Sequence, residues 1–467
     1  MAPPLRTRSL LLLAGPLLAA AVAWSCASAG LPGKAAITAA IATLCAWWWI
    51  TEAIPLPATS LIPFVAFPAT GVLDARTVAR DLGDPLILLM LGGFLLSRGV
   101  ESSGAHRRIA VGMVRAFGRF GRRGLVFGFM AATAFCSMWM SNSATALMML
   151  PVALAVLDPQ REDPLAVPLL LGVAYAASIG GVATPVGTPP NPICIRAYRD
   201  ATGETIGFLQ WLSFGLPLVL VMLPFAWWVL VARLPQGPAP SLAASGPWTK
   251  AERRMLGVFL LTIVAWLTRT LPIAGGGWST WFHVASAGDE TVALAAAILG
   301  LSLPPGDRPG ERLLDWRSAA SIPWDILLLF AGGIAIGSAF DASGLSHALG
   351  EQLGALREVP TWLLIATIVA VVTLLSELAS NTAAANLLMP VLAAAARDSQ
   401  LSPLLLMVPA ALAASSGFML PIATPPNAIV YGSGRVPVRR MLRAGLLLDA
   451  AGIVVITALA LLVLDRG

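Results

Sequence analysis

Apolar residues run in long blocks along the whole chain, and polar side chains interrupt them in only a few places. The blocks at 10–29, 36–54, 58–73, 85–100, 208–232, 254–272, 288–303, 322–340 and 442–464 read as helices crossing a hydrocarbon core about 30 Å thick. Barrel strands would instead be ~10 residues of alternating polarity, so the pattern predicts an all-α polytopic membrane protein. Two more blocks, 165–198 and 403–431, are split by Thr188-Pro189-Pro190-Asn191 and Thr424-Pro425-Pro426-Asn427 and read as broken spans. Two others, 125–157 and 361–397, hold a small polar cluster at mid-length, Ser141-Asn142-Ser143 and Ser380-Asn381-Thr382, and read as re-entrant helical hairpins. The expectation is about eleven transmembrane helices and two hairpins.

Between Glu101 and Gly124 the pattern changes. Arg107, Arg108, Arg115, Arg119, Arg122 and Arg123 alternate with Ile109, Val111, Val114 and Phe117, which predicts an amphipathic helix on the membrane surface over 101–124. Residues 233–252, rich in Pro and Gly, form an extended linker. Ahead of everything, Arg6 and Arg8 precede the first block. Ala27-Ser28-Ala29 would also suit a cleaved signal peptide, but the block is read as a first span within 1–35.

The segments on either side of the linker, 36–232 and 253–464, repeat one another. Thr51 and Pro55 correspond to Thr268 and Pro272, Gly92-Gly93 to Gly332-Gly333, and Glu101 with Ser103-Gly104 to Asp341 with Ser343-Gly344. Ser141-Asn142 corresponds to Ser380-Asn381, Pro151 to Pro390, and Thr188 through Asn191 to Thr424 through Asn427. Each unit carries five spans, an odd number, so the second must run opposite to the first. Inverted repeats bring two equivalent hairpin tips to the bilayer midplane, one from each side.

Composition narrows the class. The chain is 57% hydrophobic and 12% charged, which excludes a soluble domain with a wet surface. A net charge of +6 would suit nucleic acid elsewhere, but in a polytopic protein it reflects basic loops kept on the cytoplasmic side. With the N-terminus cytoplasmic and each hairpin re-emerging on its own side, most Lys and Arg fall on that side. These include the surface helix, Arg161, Arg233, Lys250, Arg253, Arg254, Arg308 and the cluster from Arg435 to Arg443. Cys26, Cys45, Cys136 and Cys194 have no ligand or framework spacing and read as packing residues. Trp47, Trp48 and Trp49 are read as marking an interface, Glu52 as a solvated helix end, and Arg196 and Arg269 as snorkelling side chains.

Broken helices leave backbone groups without partners, and in hydrocarbon each costs several kcal/mol unless something replaces the partner. Half-helix N-termini favour an anion, while unwound carbonyls with Ser, Thr and Asn oxygens suit a hard cation such as sodium. Neither Lys nor Arg occurs between Gly124 and Pro159, or between Thr361 and Ala396. The charge that balances an anion must then come from dipoles and co-bound cations, which is a physical reason for coupling. A lone Ser or Pro in an apolar helix is ordinarily a local bond or a kink; two copies at matching places are not. Glu377 has no acidic counterpart and reads as structural. An enzyme would need a nucleophile with a base, or a metal set, and His106, His283 and His347 fall in or beside loops. A channel would need a continuous polar lining, and only two local centres are present.

Ser137 through Ser143, Gly180-Gly181 with Thr184-Pro185 and Gly187 through Asn191, Ser380-Asn381-Thr382 and Ala423 through Asn427 together resemble the divalent anion:sodium symporter family over nearly the whole chain. The resemblance implies sodium-coupled uptake of a di- or tricarboxylate of the succinate, malate and fumarate class, with sulfate carriers and sodium-independent exchangers as family variants. It implies one sodium at Ser137, Ser141, Asn142 and Gly187 and a second at Ser376, Ala379, Asn381 and Ala423. Substrate carboxylates would meet Asn142, Ser143, Thr188, Asn381, Thr382, Thr424 and Pro425. It further implies a homodimer in the plasma membrane of a bacterium. The hairpins and broken spans would slide as an elevator against scaffold spans at 36–100 and 254–340, and the surface helix would be a hinged arm. Ser143 stands where that family usually has Thr, which keeps the hydroxyl and loses a methyl.

Overall fold

The computed structural model describes residues 5–158, 163–240, 246–270, 276–307, 310–352, 359–399 and 401–464, and its regular structure there is entirely helical. Arg161, Pro272 and Arg308, used above in the loop charges and the repeat, lie outside the described residues.

The first helices are α1 (Leu5–Ser28) and α2 (Gly33–Thr51), packed side by side. Pro16 inside α1 has no N–H to offer the carbonyl of Leu12. The Trp48 indole fills that gap at 3.3 Å, and Trp47 donates to Leu11 O at 2.8 Å. Trp49 is buried and donates to Ser60 Oγ at 3.1 Å. The three tryptophans thus also serve as packing and capping groups, Trp47 and Trp48 half-buried and Trp49 buried. Glu52 ends α2 exposed, in a left-handed conformation, as a solvated helix end would.

Next come α3 (Leu56–Ser60), α4 (Ile62–Ala69), α5 (Ala75–Leu82) and α6 (Pro85–Ser103). The block at 58–73, expected as one span, is thus divided. Pro57 and Pro63 each sit in a first helical turn, where a missing N–H costs nothing, and so start new helices rather than extend one. The expected surface helix is α7 (Ala105–Gly118), with Ala105, Ala110, Val111 and Val114 buried and Arg107, Arg115 and Arg119 exposed. His106 and His347 lie in the first turns of α7 and of the helix Leu345–Gln352, beside the turns at Gly104 and Gly344; His106 is buried with Nδ1 3.0 Å from Val100 O.

The first hairpin is α8 (Gly121–Ser137) and α9 (Asn142–Leu154), and the first broken span is α10 (Ala166–Gly181) and α11 (Pro190–Thr202), followed by α12 (Phe208–Val231). After the linker come α13 (Lys250–Thr268), α14 (Trp278–Trp281), α15 (Asp289–Ser302), α16 (Trp316–Ala320), α17 (Trp324–Ser343) and α18 (Leu345–Gln352). The second hairpin is α19 (Thr361–Leu378) and α20 (Asn381–Ser399), the second broken span α21 (Pro403–Ala414) and α22 (Pro425–Tyr431), and α23 (Val438–Leu459) closes the chain.

Among the described residues seven helical segments are long and apolar enough to cross a membrane, six of them at expected spans and one being α19. The shortfall from eleven has local causes besides the split at 58–73. α15 has 14 residues, about 21 Å at 1.5 Å per residue, because Pro304-Pro305 follows it. α13 carries Lys250, Glu252, Arg253 and Arg254 in its first turns. Glu252 there forms a capping box with Thr249 and an ion pair with Arg108 of α7 at 2.7 Å, which fastens the end of the linker to the surface helix.

Matching positions have matching local structure. Gly104 and Gly344 end α6 and α17 at φ 81° and 79°. Gly92 lies so close to Ala293 of α15 that a Cβ would stand 2.6 Å from its carbonyl carbon, and Gly332 lies equally close to Ser60 of α3. Each double-glycine position thus lets its helix approach the other half without a side chain between. The main core surrounds α10 and α21, buried on all sides along their lengths, and a smaller one joins α2, α4, α5 and α17.

Candidate functional site: two tips and two broken helices

At the first tip α8 stops at Ser137 and α9 restarts at Asn142, with Ser141 Oγ accepting from Ala144 N at 3.2 Å as the N-cap. The hydroxyl of Ser141, expected to face sodium, is thus committed to the helix start. Ser137 is fully buried, and its Oγ lies 2.7 Å from both Asn142 Oδ1 and Ala177 O, a carbonyl of α10. Half a turn of the Asn142 amide would let Nδ2 donate to Ser137 Oγ at 2.7 Å, Ala177 O at 3.1 Å and Gly187 O at 3.3 Å, so its oxygen faces acceptors only. With the amide so turned it satisfies all three oxygens, so Ser137, Asn142, Ala177 and Gly187 form one polar cluster that closes the first tip.

The second tip repeats this arrangement. Ser376, fully buried, places Oγ 2.8 Å from Asn381 Oδ1 and 2.8 Å from Ala414 O of α21. Hydrogen-bonded networks normally alternate donors and acceptors. Clusters of hydroxyl, amide and carbonyl oxygens in a buried place are also the ligand chemistry of a hard cation site. Among the described residues no group of three or more His, Cys, Asp or Glu offers an alternative metal site.

The breaks are held open by their asparagines. Asn191 Nδ2 donates to Gly181 O at 3.2 Å, Val182 O at 3.3 Å and Thr184 O at 2.7 Å, and Asn427 Nδ2 donates to Gly417 O at 3.3 Å and Leu420 O at 3.0 Å. Carbonyls that would lack partners where α10 and α21 end are so satisfied. The prolines before each asparagine start α11 and α22. Thr424 caps α22 through Asn427 N, while Thr188 Oγ1 lies 3.3 Å from Ser415 Oγ, so the two breaks meet. α9 packs on α22, and α20 packs on α11. Of the remaining expected substrate contacts, Thr382 is buried, Ser143 half-buried and Pro425 exposed; Gly187 and Ala423 are buried in the two breaks and Ala379 is half-buried at the second tip.

A profile of the citrate transporter family matches residues 46–406 and 362–464. The chain belongs to that family. It is similar to the sodium-dependent dicarboxylate transporter SdcS of Staphylococcus saprophyticus, 35% identical over 468 residues that cover 95% of this chain and 89% of the relative. SdcS of Staphylococcus aureus is 34% identical over 449 residues, covering 91% and 85%. The fold is shared with the YdaH transporter of Alcanivorax borkumensis, at TM-score 0.63 and 17% identity over 83% of this chain and 89% of that one. MtrF of Neisseria gonorrhoeae, from a class of antimetabolite efflux pumps, aligns at TM-score 0.58 and 12% identity over 89% and 96%. The protein is thus a multi-pass membrane transporter and not an enzyme.

Several residues of this citrate transporter family member escape a reading by motif. Ala177 and Ala414 contribute only carbonyls, which no side chain advertises. Glu377, read above as structural, accepts from Met419 N and Leu420 N, both at 2.8 Å, and Asp449 of α23 accepts from the neighbouring Phe418 N at 3.2 Å. Trp139 of the first tip lies parallel to Phe208 and Trp266, at 5.9 and 6.4 Å, those two being stacked on each other at 4.8 Å, whereas Leu378 stands at the equivalent position of the second tip.

Arg196 and Arg269 do not snorkel. Arg269 pairs with Asp289 at 2.6 Å, and Arg196 pairs with Asp84 and with Asp200 at 2.5 Å, with Asp81 at 3.7 Å. Arg199 also reaches Asp84 at 2.5 Å. Buried carboxylates within reach outcompete water for the guanidinium. Removing one member of a buried pair costs about 3–5 kcal/mol, and because Arg199 keeps Asp84 partnered, the lower end applies to Arg196→Met. The purified variant is expected to melt well below the parent; an unchanged melting temperature would contradict the ion-pair assignment.

Proposed function

We propose that the transporter couples sodium to the uptake of a dicarboxylate of the succinate, malate and fumarate class. One sodium is held by Ser137, Ser141, Asn142 and Gly187, Ser141 through its backbone, and the other by Ser376, Ala379, Asn381 and Ala423. The anion lies between the tips against Asn142, Ser143, Thr188, Asn381, Thr382, Thr424 and Pro425. The observation that carries this reading is the pair of matching hydroxyl, amide and carbonyl clusters with no Lys or Arg in either hairpin between Gly124 and Pro159 or between Thr361 and Ala396. An anion brought there gains its counter-charge from the ions and from the starts of α9, α11 and α20. The relatives named for sodium-dependent dicarboxylate transport support the same substrate class.

In this reading the hairpins and broken spans move as one body against the scaffold spans at 36–100 and 254–340, alternating access in the manner of an elevator. The protein acts as a homodimer in a bacterial plasma membrane with its N-terminus cytoplasmic. Proteoliposomes loaded with labelled-succinate-free buffer are expected to take up labelled succinate with sodium outside and not with potassium, and to need no internal dicarboxylate. Uptake that requires internal dicarboxylate and ignores sodium would establish an exchanger instead.

A further inference from the structure

A cavity of about 1710 Å³ opens between the ends of α10, α12, α22 and α23. Its floor is apolar: Trp228 and Leu230 of α12 with Val438, Leu446 and Leu447 of α23, of which Trp228, Leu446 and Leu447 are 60%, 58% and 55% exposed. Its rim is cationic. Arg233 follows the end of α12, Arg435 precedes α23 and is tied to Asp158 O at 3.1 Å, and Arg440 and Arg443 lie in the first turns of α23. Among the described residues one acid, Asp163, lines the cavity, and its carboxylate accepts from Asp158 N and Leu165 N of its own loop.

The order of these groups along the helices matters. On α12 the apolar residues precede the arginine, and on α23 Leu446 and Leu447 follow Arg443 by about one turn. Both helices are spans, so the arginines stand at headgroup level and the apolar floor lies deeper. Arginine pairs bidentately with phosphate, and a basic pocket between membrane helices attracts acidic headgroups. A free anion would leave the apolar floor uncovered.

We propose that this cavity is a binding site for one acidic phospholipid, its phosphate on Arg233, Arg440 and Arg443 and its acyl chains along Trp228, Leu446 and Leu447. The assignment does not depend on what the protein transports.

The test uses the full-length transporter in detergent, with native mass spectrometry and titration by phosphatidylglycerol or phosphatidylcholine. One phosphatidylglycerol per chain is expected to bind, more weakly at high salt, with phosphatidylcholine far behind. At about 1 kcal/mol per arginine, and tenfold per 1.4 kcal/mol, the Arg233→Gln, Arg440→Gln, Arg443→Gln triple variant is expected to bind about 100-fold more weakly. Arg107→Gln, Arg115→Gln, Arg119→Gln on α7 is the control and is expected to bind as the parent does. Equal binding of the two lipids by the parent, displacement of phosphatidylglycerol by inorganic phosphate at similar concentration, or equal losses in both triple variants would overturn the proposal. The first two outcomes are read on the parent alone, so they stand even if a variant fails to fold.

Discussion

Asn142→Ala and Asn381→Ala are each expected to abolish sodium-dependent succinate uptake while leaving the transporter folded. Each asparagine starts a hairpin helix and turns its amide oxygen into a cluster made with the serine five residues before it and with a carbonyl of the neighbouring broken helix. Alanine keeps the helix start and removes the oxygen. A hydrogen bond to a charged group contributes roughly 1.5–3 kcal/mol, and tenfold in affinity corresponds to about 1.4 kcal/mol. In the proposed function each amide meets both an ion and the anion, so the losses compound beyond about 100-fold. Initial rates over a sodium series, with gel filtration to check folding, measure this. Parent-like uptake by both variants would remove these residues from the site.

Gly181→Ala is expected to be far more damaging than Gly417→Ala, although the two positions are equivalent in sequence. A methyl on Gly181 would stand 2.4 Å from Asn142 Oδ1 and 3.2 Å from Gly187 O. The atom it meets is the end of a side chain, so the fold can yield by swinging the amide away, and the ion cluster is what gives. At Gly417 the methyl would find Ala423 Cβ and Ser376 Oγ at 3.2 Å, tight but short of a collision. Misplacing a ligating group by about 1 Å can cost on the order of 100-fold in rate, whereas crowding at Gly417 is expected to cost a few-fold. Equal rates for the two variants would mean that the amide of Asn142 is not held where the oxygen cluster requires it.

Some of this was legible early because membrane chemistry leaves few choices. The helix interruptions at Ser141 and Ser380, both breaks and the amphipathic α7 follow from where polar residues and prolines interrupt apolar blocks. The division at 58–73 shows the limit: hydropathy counts carbon, while Pro57 and Pro63 decide where a helix can begin. Arg196 shows another, since its partners Asp81 and Asp84 lie more than a hundred residues away.

The amino-acid sequence by itself determined the all-helical membrane fold, the paired motifs, and the family, since local backbone satisfaction in lipid and the spacing of small polar residues can be read one segment at a time. Tertiary structure alone decided that Ala177 and Ala414 complete the clusters, that Asn191 and Asn427 hold the breaks open, that Glu377 and Asp449 secure one turn together, and that the two breaks touch at Thr188 and Ser415. Each of those depends on a backbone carbonyl or amide, or on a partner remote in the chain. Every residue type carries the same peptide group, so only its placement in space shows which ones are left to bind.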